Sequence, residues 1–189
     1  MAKLEDAEGI LSIYAPIVEK TPISFELEPP SLNEMRRRIT NTIKERPWLV
    51  CEADGEILGY AYASTYRSRG AYAWAVETSA YVDEQHQRKS IARGLYTILL
   101  KILELQGYHT AFAGIALPNE ASVKFHEAMG YEAIGVFRQA GFKFGKWHDV
   151  GWWQRHIGND QSMPVGLPKP VNKLFGGVEW EEALQGGKR

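Results

Sequence analysis

Apolar and polar positions change period several times along the chain, and each change marks an element. Residues 5–19 carry Ile10, Ile13, Tyr14 and Ile17 at helical spacing, with Asp6 placed to meet orphan amides. Pro29-Pro30 interrupts this helix, and Ser31-Leu32-Asn33-Glu34 reads as a capping box opening a second one that runs to about Glu45. Trp48–Ala53 and Glu56–Tyr66 read as strands joined by Asp54-Gly55, a strong hairpin signal. A third strand spans roughly Ala73–Val82. Residues 90–106 form the clearest helix, with Ile91, Leu95, Ile98, Leu99, Ile102 and Leu105 on one face and Gly107 as its stop. A strand at His109–Ala116 leads through Pro118-Asn119 into a helix ending near Met129. Two further strands lie near Tyr131–Ala140 and Phe144–His156, linked by Gly141 and bounded by Gly145.

This order predicts an α+β fold: a mixed central β-sheet flanked by helices. The strand–helix–strand step around residues 73–116 should be parallel and right-handed. After Gly158 the text changes. Pro164, Pro168 and Pro170 predict an extended tail, and Val178–Leu184 fits one or two helical turns. Residues 1–157 therefore read as one domain and residues 158–189 as a C-terminal tail.

Composition narrows the function classes. A chain of 189 residues can bury a core without disulfides, and 44% hydrophobic with 24% charged residues is ordinary for a globular protein. The formal charge of −1 sets up no global field toward nucleic acid or anionic membrane, so neither is an expected partner. The single cysteine, Cys51, excludes an internal disulfide and a multi-cysteine zinc site, and no metal is expected. Its place in Trp48-Leu49-Val50-Cys51 suits a buried strand residue better than a nucleophile. No apolar run approaches the roughly 18 residues of a membrane span. The N-terminus lacks the apolar core of a signal peptide, so cytoplasm is the expectation.

Candidate chemistry begins at Gln87-Arg88-Lys89-Ser90-Ile91-Ala92-Arg93-Gly94, between the third strand and the clearest helix. Amides at a helix N-terminus, small residues and Arg88, Lys89 and Arg93 nearby make a phosphate cradle, although a plain basic turn has the same composition. Glu77 lies mid-strand, where carboxylates are depleted, on the face of Ala75, Ser79 and Tyr81. A partly desolvated carboxylate there can act as a general base, and an exposed or salt-bridged one is the bland alternative.

The octapeptide resembles the acetyl-CoA signature of the GNAT acetyltransferase superfamily, with Gln87 and Ala92 matching and Ser90 standing where glycine is usual. Serine resists positive φ, so Ser90 is expected in an ordinary backbone region. Closer still, Glu77-Thr78-Ser79-Ala80-Tyr81-Val82, Leu117-Pro118-Asn119-Glu120, His126-Glu127-Ala128-Met129-Gly130-Tyr131 and Trp147-His148-Asp149-Val150-Gly151 resemble the phosphinothricin N-acetyltransferases over roughly residues 3–157.

That resemblance implies a GNAT fold and direct transfer of acetyl from acetyl-CoA to the amino group of a small glutamate-like amino acid. Glu77 becomes the general base. Ala80, Tyr81 and Val82 become the segment aligning the pantetheine arm, and Arg88, Lys89, Ser90, Ile91, Ala92 and Arg93 the phosphate loop. Asn119, also a good N-cap, contacts the same arm. His126 stands where many GNAT enzymes have a tyrosine, as an acid toward the leaving thiolate or as its positioner. Phe25, Arg69 (or Arg67), Tyr72 and His148 become the acceptor wall. Phe144 replaces a histidine of the resembling enzymes and could change which amino acid fits. The resemblance also implies a homodimer, with Val171–Leu184 as a possible contact. Methionine sulfoximine or methionine sulfone is the alternative acceptor. A degenerate acyl-CoA-binding sensor is the rival of another class, favoured by Ser90 and by having only Met1–Lys3 where the superfamily's first strand usually lies.

Overall fold

The computed structural model describes residues 1–158, 164 and 166–186, so parts of the expected tail (159–163, 165 and 187–189) lie outside the described residues. Six strands form one sheet in the order β1-β2-β3-β4-β6-β5. They are β1 (Trp48–Ala53), β2 (Glu56–Thr65), β3 (Ala75–Val82), β4 (Thr110–Leu117), β5 (Glu132–Lys143) and β6 (Lys146–His156). Every neighbouring pair is antiparallel except β3 with β4, the pair expected to be parallel. The helices are α1 (Ala7–Lys20), α2 (Leu32–Thr42), α3 (Ile91–Gln106), α4 (Glu120–Ala128) and α5 (Val178–Gln185).

Strand alternation sorts the core into two layers. Leu49, Ala61, Ala63 and Val76 pack with Leu99 and Leu103 of α3 on one face. Trp48 and Tyr60 pack with Ile10, Ile13, Met35 and Ile39 of α1 and α2 on the other. Local signals explain the helix ends: the Ser31 hydroxyl accepts the Glu34 N–H at 3.2 Å, and Gly107 takes a left-handed φ of 90° to close α3.

The feature that matters most for function is a fork. Strands β3 and β4 pair only at Ala75↔Thr110, Val76↔Ala111 and Glu77↔Phe112, although β3 continues to Val82 and β4 to Leu117. Trp74 O accepts the His109 and Thr110 N–H groups at 2.9 and 3.2 Å, while the Asp83 N–H donates to Leu58 O on the β2 side at 3.0 Å. A strand turns alternate residues to alternate edges. Ala80 and Val82 therefore direct their main-chain N–H and C=O groups into the opening.

Several expectations need correction. The third strand begins at Ala75, because Gly70–Tyr72 forms a short 3₁₀ turn closed by the Ala73 N–H on Gly70 O. Gly141 does not link the last two strands. Strand β5 runs to Lys143, and Phe144-Gly145, with φ of 51° and 74°, forms the two-residue turn. Extra residues between Phe137 and Gly141 are absorbed in an irregularity where Asp149 Oδ1 accepts the Gln139 N–H at 2.8 Å. Nor is the tail merely extended. Gln106 Nε2 donates to Lys169 O at 2.6 Å, and Val171, Trp180 and Ala183 are buried in the same core as α3. Val171, Trp180 and Ala183, within the segment expected to reach across a dimer, are thus turned into the chain's own core; Phe175 and Val178 remain exposed. Among the described residues no helix is long and apolar enough to cross a membrane, and no cluster has metal-ligand composition.

Candidate active site

The mouth of the fork opens into a cavity of about 530 Å³. Its lining contains Ala80, Tyr81, Val82, Arg88, Ser90, Ile91, Ala92, Arg93, Asn119 and His126, so every expected acetyl-CoA residue except Lys89 converges there. The phosphate end is built from amides. The first bond of α3 is the Gly94 N–H on Ser90 O at 3.0 Å, which leaves the N–H groups of Ile91, Ala92 and Arg93 without partners inside the helix. Three orphan amides at the positive end of a 16-residue helix, beside two arginines, suit a pyrophosphate.

Ser90 was expected in an ordinary backbone region; instead it is left-handed, with φ 61° and ψ 10°, and Arg88 also has φ 61°. The loop must turn its amides inward, and tertiary closure of the fork overrides the residue's own preference. A serine at an N-cap usually caps an amide with its hydroxyl, but this one makes no side-chain cap bond. The strain has a functional consequence: the amides stay available. Ser90→Gly is therefore expected to raise stability by roughly 0.5–1 kcal/mol, since it removes a left-handed side chain without losing a bond. Chemical denaturation checks this, and a destabilised variant would show that the hydroxyl carries a bond absent from this structure.

Asn119 caps α4, its Oδ1 accepting the Ser122 N–H at 3.1 Å, and still lines the cavity. Two turns later His126 is buried in a cage of Tyr96, Phe125 and Tyr131 rings. Its Nδ1 lies 2.8 Å from Ser122 O, so Nδ1 carries the hydrogen, and Nε2 is left to accept from the Tyr96 hydroxyl at 3.1 Å. Burial lowers the imidazole pKa and outweighs the opposing Ser122 carbonyl. The ring is neutral at neutral pH, with both nitrogens engaged.

Glu77 is the last paired residue of the fork on the β3 side, three residues before the cavity-lining segment. Burial raises its carboxyl pKa, and among the described residues no ion pair forms to it. Its partner across the fork, Phe112, stacks on Tyr66 at 4.2 Å, and Tyr66 meets Tyr72 edge-on at 5.6 Å. The guanidinium of Arg67 sits over both tyrosines, at 5.2 and 5.7 Å. Arg69 is exposed at the start of the neighbouring turn, and none of the contacts described joins its side chain to the other acceptor candidates. Phe25 and His148 do meet, with ring centroids 6.1 Å apart. Phe144, by contrast, is half exposed at the hairpin tip.

Sequence reasoning missed Ile17, Ile23 and Phe125 as cavity walls, because each reads as an ordinary apolar helix or loop position. His86 and Gln87 line the cavity as well. Asp83 Oδ1 orients His86, accepting from Nδ1 at 2.9 Å.

Comparison with known proteins shows the family. Residues 1–152 match the model of the acetyltransferase (GNAT) domain. The chain is 41% identical over 173 residues to a phosphinothricin N-acetyltransferase of Streptomyces viridochromogenes, covering 92% of each. It is 33% identical to an L-methionine sulfoximine/L-methionine sulfone acetyltransferase of Pseudomonas aeruginosa, over 86% of this chain and 96% of that one. Among solved structures, a phosphinothricin acetyltransferase from Sinorhizobium meliloti in complex with acetyl-CoA superposes with a TM-score of 0.84 at 32% identity, over 88% of this chain and 92% of the other.

Proposed function

The chain belongs to the GNAT acetyltransferase family and is an acetyl-CoA-dependent N-acetyltransferase, and from that premise we propose that its acceptor is a small glutamate-like amino acid of the phosphinothricin type. The observation that carries this reading is Glu77: a half-buried carboxylate without a counter-ion, at the fork where the thioester and an acceptor amine would meet. The amides of Ile91–Arg93 would hold the phosphates of acetyl-CoA and Ala80–Val82 its pantetheine arm, and the bound group would supply an activated acetyl.

Glu77 takes a proton from the acceptor ammonium, directly or through one water, and the freed nitrogen attacks the thioester carbon. The new C–N bond forms as the C–S bond breaks. As the amide forms, its nitrogen sheds a second proton, and the leaving thiolate takes it up to give free CoA. A main-chain N–H at the fork can stabilise the developing oxyanion, a kind of contribution worth about 3 kcal/mol in acyl transfer. His126, neutral and with both nitrogens used, fits the role of fixing Tyr96 and the α4 end of the cleft better than that of proton donor. Cys51, half-buried in β1 with its thiol pKa raised by burial, takes no part.

Rates with phosphinothricin, methionine sulfoximine, methionine sulfone and aliphatic amino acids test the acceptor class. The expected order places the glutamate-like acceptors first in kcat/KM. Equal rates on aliphatic amino acids would point to a general amine acetyltransferase.

The protein acts in the cytoplasm as a homodimer in this reading. The outer edge of β5 and the hairpin tip support it, since Ile134, Val136, Phe137 and Phe142 are each about half exposed on a 12-residue edge strand, with Trp147 of β6 equally exposed beside Phe142. A monomer mass in sedimentation velocity would remove the dimer.

A further inference from the structure

The β5–β6 hairpin sits at the far edge of the sheet, yet its tip reaches the α1–α2 connection, and one side chain joins them. Lys143 is only 4% exposed. Its Nζ donates to Val18 O at 2.6 Å and to Ser24 O at 2.8 Å, with the Phe144 ring 5.1 Å away. The acceptor at Val18 has a cause in the sequence. Four residues on stands Pro22, which has no N–H, so the Val18 carbonyl in the last turn of α1 cannot receive the usual helical bond. The lysine ammonium supplies the missing donor, at the negative end of the helix dipole.

The same residue governs both halves of the Phe25–His148 pair. Its side chain holds Ser24, whose hydroxyl also meets the Tyr14 hydroxyl at 2.8 Å. Glu26, on the other side of Phe25, is held by Arg38 through contacts of 2.6 and 3.1 Å. The Lys143 carbonyl accepts from His148 Nε2 at 3.1 Å. Phe25 in turn lies so close to the hairpin that a Cβ on Gly141 would stand 2.2 Å from its ring. A buried ammonium is costly to desolvate, and an apolar side chain of equal length would pack without that cost. Here the ammonium is hydrogen-bonded to main-chain carbonyls and faces a ring, with the Glu26 carboxylate within Coulombic reach, and all of these belong to this one junction.

We propose that Lys143 is a positioning residue of the acceptor wall: its ammonium replaces the amide that Pro22 lacks and fixes Phe25 against His148. The kinetic part of this inference rests on the reading that the wall meets an amino-acid acceptor; the structural part does not.

Lys143→Met tests both parts in the full chain. Amide exchange over residues 21–28 is expected to accelerate about tenfold while the α3 core is unchanged. KM for the acceptor is expected to rise about tenfold or more, with KM for acetyl-CoA held within about twofold. Unchanged exchange over residues 21–28 would overturn the latch even if no amino acid were acetylated at all, so this failure is separable from failure of the acceptor reading. Rises of both KM values together would overturn the positioning role. Should Lys143→Met not fold, Lys143→Gln, which keeps an N–H donor group but loses the charge and reach of the ammonium, decides by the same two readouts.

Discussion

Replacing Glu77 by glutamine is expected to lower turnover by about 10²–10⁴-fold, the usual contribution of a positioned general base, while acetyl-CoA still binds. Glutamine keeps the size and removes the ability to take a proton, so the loss belongs in kcat rather than in cofactor affinity. The pH dependence has a definite sign. The base works only when ionised, and burial raises its pKa, so wild-type activity falls as the pH drops through a value above the ordinary carboxylate range. The variant loses that limb, and its residual rate climbs with pH as free amine appears in solution. Stability should move the other way. A carboxyl whose folded pKa is raised costs stability above its unfolded pKa, because the folded state holds the proton more tightly. Glu77→Gln is therefore expected to be more stable than the wild type at neutral pH. A variant with full turnover at neutral pH would remove Glu77 as the base.

Ala92→Asp separates the helix from its ligand. At the second position of α3 an aspartate favours the helix dipole, so stability should hold or rise by roughly 0.3–1 kcal/mol. The same carboxylate faces the amides proposed to seat the pyrophosphate. Two like charges about 6 Å apart at an effective dielectric near 20 repel by about 3 kcal/mol, which corresponds to about a hundredfold weaker binding. Calorimetric titration with CoA is expected to show that loss, with Ala92→Asn staying close to wild type. Equal affinity for the aspartate variant would mean the phosphates sit elsewhere.

Much of this was legible in the chain because the signals were local. Strand β1 and the Asp54-Gly55 hairpin, the Ser31 cap and the Gly107 stop all follow from neighbouring residues. Alternation also placed Glu77 on the side of Ser79 and Tyr81. What stayed hidden was non-local. Nothing in β3 or β4 alone announces that their pairing ends at Glu77 and Phe112. Ser90 was misread because its preference is local while its conformation is imposed by the loop around it. Nothing in the neighbouring sequence singles out Lys143, since its partners, Val18 and Ser24, lie more than a hundred residues away. The proline-rich stretch concealed a tail that packs through Trp180. Arg69 shows the reverse limit: the sequence nominates Arg69 with Arg67 as its alternative and cannot choose between them, and it is Arg67 that engages the aromatic cluster beside Glu77.

The most direct measurement mixes the purified protein with acetyl-CoA and phosphinothricin and follows thiol release together with product mass. Free CoA and N-acetylated amino acid are expected in equal amounts, each requiring both substrates, with no acetyl group left on the protein. CoA release that ignores the amino acid, or acetyl retained on the chain, would contradict direct transfer to a small glutamate-like acceptor.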